Sequence, residues 1–224
     1  KPDLVHLHSR RGADTWGAFA ARRAGKPVVL SRRVDFPIRP SVLNRWRYGS
    51  LYDRVICISH AIERVVLEGG VPPEKVLTVH SAVGTGQFRP DPGAAQRVRD
   101  ELGLEPGTPL FAIVAQMIPR KGHDVLWKAV QRLAPEHPRL RIAVFGRGAE
   151  EPRLRDLAIT MGIAPHIHWA GFHERMDTVP PGVDAVVHPA RLEGLGVALL
   201  QTLASGRPVI ACPVGGIPEA VNED

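Results

Sequence analysis

Cysteine, aromatic side chains and lysine are all scarce in this 224-residue chain. The two cysteines, Cys57 and Cys212, lie far apart and form no CxxC. Both sit in apolar, strand-like runs, which points to buried thiols in a reducing compartment rather than a disulfide framework or a metal ribbon. Aromatics make up 5% of the residues, too few to interleave with basic residues as a nucleic-acid platform requires, so no nucleic-acid partner is expected. No apolar run approaches the roughly 18 residues of a membrane span. No signal-peptide pattern precedes the first strand, and a cytoplasmic location is expected. No DxD occurs anywhere, so a divalent cation held by paired carboxylates has no evident ligands. His166 and His168 form an HxH without an acid nearby, and no metal site is expected there.

The remaining composition is that of a globular protein, 44% hydrophobic and 23% charged, long enough to bury a real core in one large or two small domains. Its charge is unevenly placed. Residues 1–60 carry 12 Lys and Arg against 4 Asp and Glu, a net of +8, whereas the rest carry 17 against 19, a net of −2. A cationic first segment suits an anionic partner such as a phospholipid surface or a phosphorylated sugar. An Arg-rich genome also yields such a segment, since 24 of the 29 basic residues are Arg.

Short apolar strands alternate with amphipathic helical stretches throughout. Strands are predicted at 3–9, 26–31, 52–59 and 76–80, with helices at 13–25, 41–50 and 60–70 between them. The stretch 81–93 is rich in Gly and Pro and reads as a linker. A second series places strands at 109–116, 139–146, 166–171, 184–189 and 208–212, and helices at 123–134, 150–162 and about 195–205. Strand–helix alternation without hairpin signals predicts parallel sheets. The expected class is α/β, with two Rossmann-like βαβ domains whose parallel sheets face across a cleft. The expected boundaries are 1–86, a linker region at 87–106, and 107–224. Both domains read as incomplete. The first opens without a leading strand and glycine turn, the second stops where a helix begins, and the chain is expected to be a fragment.

Chemistry-bearing residues gather at strand ends. In RLEGLGVALLQTLASGRPVIAC (191–212) a strand runs out at Pro189 and a helix begins a few residues later. Gly194 and Gly196 permit a tight turn that brings helix-start amides close to an anion. Glu193 at this mouth is suited to accept hydrogen bonds from sugar hydroxyls, and Gln201 lies about two helical turns further along. A first-turn acid favouring the helix dipole, with a solvated polar residue behind it, accounts for the same spacing. Lys121 follows an apolar strand by one short turn. His6 and His8 share one strand face, and Ser59 ends another strand as a candidate phosphate or acceptor contact. Arg39, Arg45 and Arg47, with Trp46 and Tyr48, are candidates for an anionic lipid or phosphosugar. Gly146-Arg147-Gly148 lacks the third glycine and later acid of a dinucleotide fingerprint.

The stretch EGLGVALLQTLASGRPVIACPVGGIPEAV (193–221) resembles the signature of GT-B-fold, retaining glycosyltransferases of family GT4. VICISHAI, VLTVHSAVGTGQFRP and VAQMIPRKGHDVL are similar to further segments of that family. The resemblance implies transfer of a sugar from a nucleotide-diphosphate sugar to the hydroxyl of a carbohydrate or lipid-linked acceptor; from the basic segment above, peripheral contact with the anionic inner face of a membrane is expected as well. It implies no cofactor and no metal. It assigns Glu193 to the transferred sugar and Lys121 to the diphosphate, with Gln116, Arg120, Gly194, Leu195, Gly196 and Gln201 around the donor. A cation there stabilises charge on the leaving oxygen as the sugar–phosphate bond breaks. On the acceptor side, a histidine of the family falls at Arg32 or Arg33, which leaves His8, Arg32, Arg33 and Ser59 as candidates. Two positions depart from the pattern. Gln116 stands where the family has its clamp arginine, and Gln201 stands where it has a second acid. These keep a second reading open, a catalytically weak or inactive sugar-nucleotide-binding or scaffold protein of the same fold. The oligomeric state is not legible in the sequence.

Overall fold

The computed structural model describes residues 2–8, 12–39 and 41–221. They divide into two compact units. The first takes in the chain up to Ser81, together with Glu193–Leu195 and the stretch from Gly215. The second comprises Ala82–Leu192 and Gly196–Val214.

In the first unit β1 (Val5–His8), α1 (Ala13–Arg23), β2 (Val28–Arg32), α2 (Val42–Trp46), β3 (Arg54–Cys57), α3 (His60–Glu68) and β4 (Val76–Thr78) alternate. The four strands form one parallel sheet in the order β1-β2-β3-β4. Val28, Leu30, Val55 and Cys57 point into a core closed by Ile62 and Val66 of α3 and Ala18 and Ala21 of α1. The last residue predicted for β1, Ser9, lies outside the described residues. A π-helical turn, Arg47–Leu51, continues α2.

In the second unit the elements are α4 (Ala94–Glu101), β5 (Leu110–Val114), α5 (His123–Leu133), β6 (Arg141–Phe145), α6 (Glu151–Thr160), β7 (Ile167–Gly171), β8 (Ala185–His188), α7 (Val197–Ala204) and β9 (Val209–Ala211). A short α8 (Ile217–Ala220) belongs to the first unit. The five strands are parallel, in the order β7-β6-β5-β8-β9. Residues alternate between the two faces. Ile113, Ile142 and Val144 pack with Leu126, Trp127 and Leu154 of α5 and α6, while Leu110, Ala112, Ala143 and Phe145 pack with Val98, Val183 and Val186. Both faces are therefore buried, as a parallel sheet requires.

Helix α4 falls within residues 87–106, where no helix is legible in the sequence. Val98 is its single large apolar side chain, and Arg99 beside it is buried. Arg99 grips both carboxylate oxygens of Asp184 at 3.0 and 2.9 Å and donates to the carbonyls of Thr108, Ala95 and Gly182. A buried guanidinium satisfied at every turn fastens this helix to the start of β8. Among the described residues, no helix is long and apolar enough to cross a membrane.

Candidate active site

In the sheet of the second unit the strand order reverses between β5 and β8, the first and fourth of its strands in sequence. In a doubly wound sheet the crevice beyond the carboxyl ends of such a pair receives ligands. Two loops leave from there.

The loop after β5 is stitched to its neighbour. The amides of Ala115 and Met117 donate to the carbonyls of Phe145 and Arg147, each at 3.0 Å, and Glu150 donates back to Met117 at 3.0 Å. This contact accounts for the Gly-Arg-Gly after β6. A Cβ on Gly146 would lie 2.0 Å from the Ala115 carbonyl oxygen, and one on Gly148 2.2 Å from that of Met117. Gln116 is exposed here, and Arg120 and the half-buried Lys121 stand on a single 3-10 turn, Pro119–Lys121.

The loop after β8 meets that turn backbone to backbone. Gly122, at φ 70°, starts α5, and a Cβ there would lie 1.8 Å from the Pro189 carbonyl oxygen. The amide of Arg191 donates to the Arg120 carbonyl at 2.8 Å, and Arg120 Nη1 donates to the Leu192 carbonyl at 3.3 Å. Arg191 forks onto Asp124 at 2.8 and 2.7 Å and also donates to the Pro119 carbonyl. The Arg191 hydrogen bond holds the Asp124 carboxyl below its usual range. A cavity of about 420 Å³ opens beside this turn, lined by Pro119, Arg120, Asp124, Arg153 and Arg191. A larger one, about 840 Å³ around Arg89, Arg97 and Arg175, lies elsewhere, and Arg97 and Arg175 are paired with Asp91 and Asp177.

Glu193 follows directly in the chain. It is buried, and its Oε1 accepts from the amide of Gly194 at 3.0 Å. Leu195 is buried, and Gly196, at φ 88°, starts α7. Gln201 is half-buried within α7.

In the first unit, the parallel register brings His8, Arg32 and Arg33 to the carboxyl edge of the sheet, with His8 opposite Ser31 and Arg32 opposite Cys57. His6 and His8 stack with ring centroids 4.5 Å apart, and His6 Nε2 lies 2.8 Å from Ser31 Oγ. Three expectations need correction. Ser59 is fully buried: its hydroxyl accepts from the Ile62 amide at 3.2 Å, capping α3, and donates to the Gly194 carbonyl at 2.7 Å. It is a structural cap, with no open oxygen for a substrate. Tyr48 is buried and Arg47 is paired with Asp14 at 3.2 Å, so neither greets an anionic surface. Cys212 is half-buried, since it lies just past β9, whereas Cys57 is buried in the core.

Sequence reading passed over His123. It is buried against Trp127, neither ring nitrogen has a hydrogen-bond partner, and burial pushes its pKa down to about 4. A neutral imidazole therefore sits two residues from Lys121. In the sequence, its place between Gly122 and Asp124 looks like a solvated helix start.

The family model "Glycosyl transferases group 1" matches residues 95–224, and "Glycosyltransferase Family 4" matches residues 1–87. A D-inositol 3-phosphate glycosyltransferase of Streptomyces bingchenggensis is 34% identical, covering 99% of this chain and 54% of that protein. A GDP-mannose-dependent alpha-(1-6)-phosphatidylinositol monomannoside mannosyltransferase of Mycolicibacterium smegmatis is 33% identical, over 92% of this chain and 57% of its own length. The chain thus spans a little over half the length of these relatives. Among solved structures, the Anabaena protein HepE in complex with UDP and glucose superimposes with a TM-score of 0.85 at 20% identity, covering 99% of this chain and 62% of that one. Sucrose-phosphate synthase from Thermosynechococcus elongatus does so with a TM-score of 0.76 at 20% identity, over 97% and 59%. With both halves matched in sequence and two parallel α/β units in the fold, this chain belongs to the group 1, family 4 glycosyltransferases.

Proposed function

We propose that this chain carries the donor site of a retaining glycosyltransferase, which moves a sugar from a nucleotide-diphosphate sugar to an acceptor hydroxyl without a metal. The observation that carries the reading is the switch point itself. Within the second unit, the turn bearing Lys121 and the loop after β8 are locked together at Gly122–Pro189 and Arg120–Arg191. In this reading Lys121 faces the diphosphate and stabilises the charge that builds on the leaving oxygen. Amides at the start of α7, freed of side chains by Gly194 and Gly196, add fixed dipoles. Glu193 accepts hydrogen bonds from hydroxyls of the sugar, and the acceptor hydroxyl attacks from the face the leaving group departs.

The acceptor is proposed to be an anionic, inositol-phosphate-bearing molecule, following the names of the relatives above and the +8 charge of the first 60 residues. A membrane-borne form of it fits the apolar side chains that α1 and α2 present to solvent. Trp16, Phe19, Val42, Leu43 and Trp46 are all exposed, Val42 by 88%. Flotation with vesicles rich in anionic lipid should recover the protein, and Trp16→Ala with Leu43→Ser should reduce that recovery.

A second reading, a sugar-nucleotide-binding protein without turnover, is favoured by Gln116 and Gln201 in place of a cation and an acid. A thermal-shift panel of UDP, GDP and ADP sugars, followed by product analysis in EDTA, separates the two. Stabilisation with slow donor hydrolysis supports the transferase, and stabilisation without turnover supports the binder. If no sugar nucleotide raises the melting temperature, both readings fail.

A further inference from the structure

His60, His80 and Glu219 play no part in the site above, yet they converge within the first unit. His60 opens α3, His80 lies two residues beyond β4, and Glu219 belongs to α8. One ligand atom from each lies within 4.8 Å of the other two. His80 Nε2 is 2.9 Å from Glu219 Oε2, and the two imidazoles meet edge to face with centroids 5.1 Å apart. We infer that these three side chains form a binding site for a zinc-class transition-metal ion.

Each part of the arrangement suits that ion. Two imidazoles and one carboxylate form a borderline-soft donor set, which selects zinc and its neighbours over magnesium or calcium. Glu219 is already immobilised, with its two oxygens accepting from the amides of His60 at 2.7 Å and Ala61 at 2.8 Å. His60 Nδ1 lies 2.8 Å from Glu63 Oε2, and Thr78 Oγ1 donates to the same oxygen at 3.0 Å. A carboxylate that takes the Nδ1 proton fixes the tautomer and leaves Nε2 as the lone-pair donor, the usual support for a metal-bound histidine. Metal–ligand distances of about 2.0–2.2 Å require the donor atoms to adjust their spacing. The exposed His60 and His80 side chains, 58% and 45% accessible, can do so without disturbing the core. Solvent completes the fourth position. The ion would join segments up to 159 residues apart, tying the turn at 216–219 to the start of α3 and the end of β4. It is a structural clamp, separate from sugar transfer and independent of the proposed function.

The test is calorimetric titration of the chelator-stripped chain with zinc chloride, repeated with magnesium chloride, with cobalt(II) as an absorption probe. One equivalent of zinc should bind saturably, and cobalt should give the visible bands of a tetrahedral site. His80→Ala, which in the metal-free chain removes only an exposed contact of little worth, should weaken binding at least tenfold. Glu63→Gln should weaken it by about 10- to 100-fold, because His60 loses the carboxylate that fixes its tautomer. Absence of saturable zinc binding overturns the inference, as does affinity and stoichiometry unchanged in His80→Ala. Equal binding of magnesium overturns the zinc-class assignment.

Discussion

Replacing Gly122 with alanine tests the geometry on which the donor site depends, and Gly162→Ala supplies a matched control. Both glycines lie in the second unit at φ 70°, but a Cβ on Gly162 meets nothing within 4 Å, while one on Gly122 lies 1.8 Å from the Pro189 carbonyl oxygen. The control therefore carries only the left-handed backbone cost of about 1–2 kcal/mol. In Gly122→Ala the Pro189 oxygen must also retreat from 1.8 Å to the 3.4 Å where ordinary contact begins, a shift of about 1.6 Å. That movement pulls on the Arg191–Arg120 and Arg120–Leu192 hydrogen bonds, worth about 1 kcal/mol each. It adds overpacking strain of about 1–3 kcal/mol. The total is about 4–7 kcal/mol, and at about 2–4 °C per kcal/mol for a chain of this size it lowers the melting temperature roughly four times as far as the control does. Differential scanning fluorimetry of both variants, with and without a bound sugar nucleotide, gives the comparison. Gly122→Ala should also lose donor affinity by more than tenfold, while Gly162→Ala keeps it. Equal melting shifts and retained affinity in both variants would refute the switch-point argument.

Gln116→Arg should restore a guanidinium at the donor phosphates and raise turnover by about 10²–10³, the effect of about 2–4 kcal/mol at a developing charge. Unchanged donor affinity and rate would show that Gln116 does not weaken the clamp. Arg99→Ala removes a buried guanidinium and the hydrogen bonds it gives to the Thr108 and Gly182 carbonyls, and should cost about 2–3 kcal/mol in urea unfolding; a loss below about 1 kcal/mol would mean α4 is held by packing alone. His123 makes the fold acid-sensitive. The unfolded imidazole takes up a proton near 6.5 and the folded one only near about 4. Stability from this group is thus full above about pH 6.5 and falls by about 3 kcal/mol as the pH drops through that window. His123→Leu should flatten the pH profile of the melting temperature between those values, and an unchanged slope would assign the sensitivity to another group. Burial, then Glu63, pushes the Cys57 thiol up to about 12. Iodoacetamide should therefore label Cys212 in the native protein, and Cys57 only after unfolding. Labelling of both at equal rates, read by mass spectrometry, would contradict the buried core.

The parallel architecture was legible because most strands of the two sheets are short apolar blocks set off by Gly, Pro or charge, and helical periodicity fills the gaps. Helix α4 was not, because one valine cannot make an apolar stripe and a buried Arg99 looks like surface charge until Asp184 arrives from 85 positions away. Ser59 lies two residues past the end of β3 rather than in it, and its fate was hidden: the carbonyl of Gly194, 135 positions later, accepts its hydrogen bond. Lys121 and Glu193 stand beside glycines at strand ends, a local signal, but their roles came from the family resemblance of the segments around them. His123 was missed because its environment is built by Trp127 and by strands distant in sequence.

The residues alone determined the α/β class, the parallel strands and the loops that carry charge, since periodicity and turn chemistry act over a few neighbouring positions. Only the tertiary structure decided which loops meet. That depends on β5 pairing with β8, a contact between strands some 70 residues apart in the chain. Such pairing is selected by how whole faces pack, and no short window of sequence contains it.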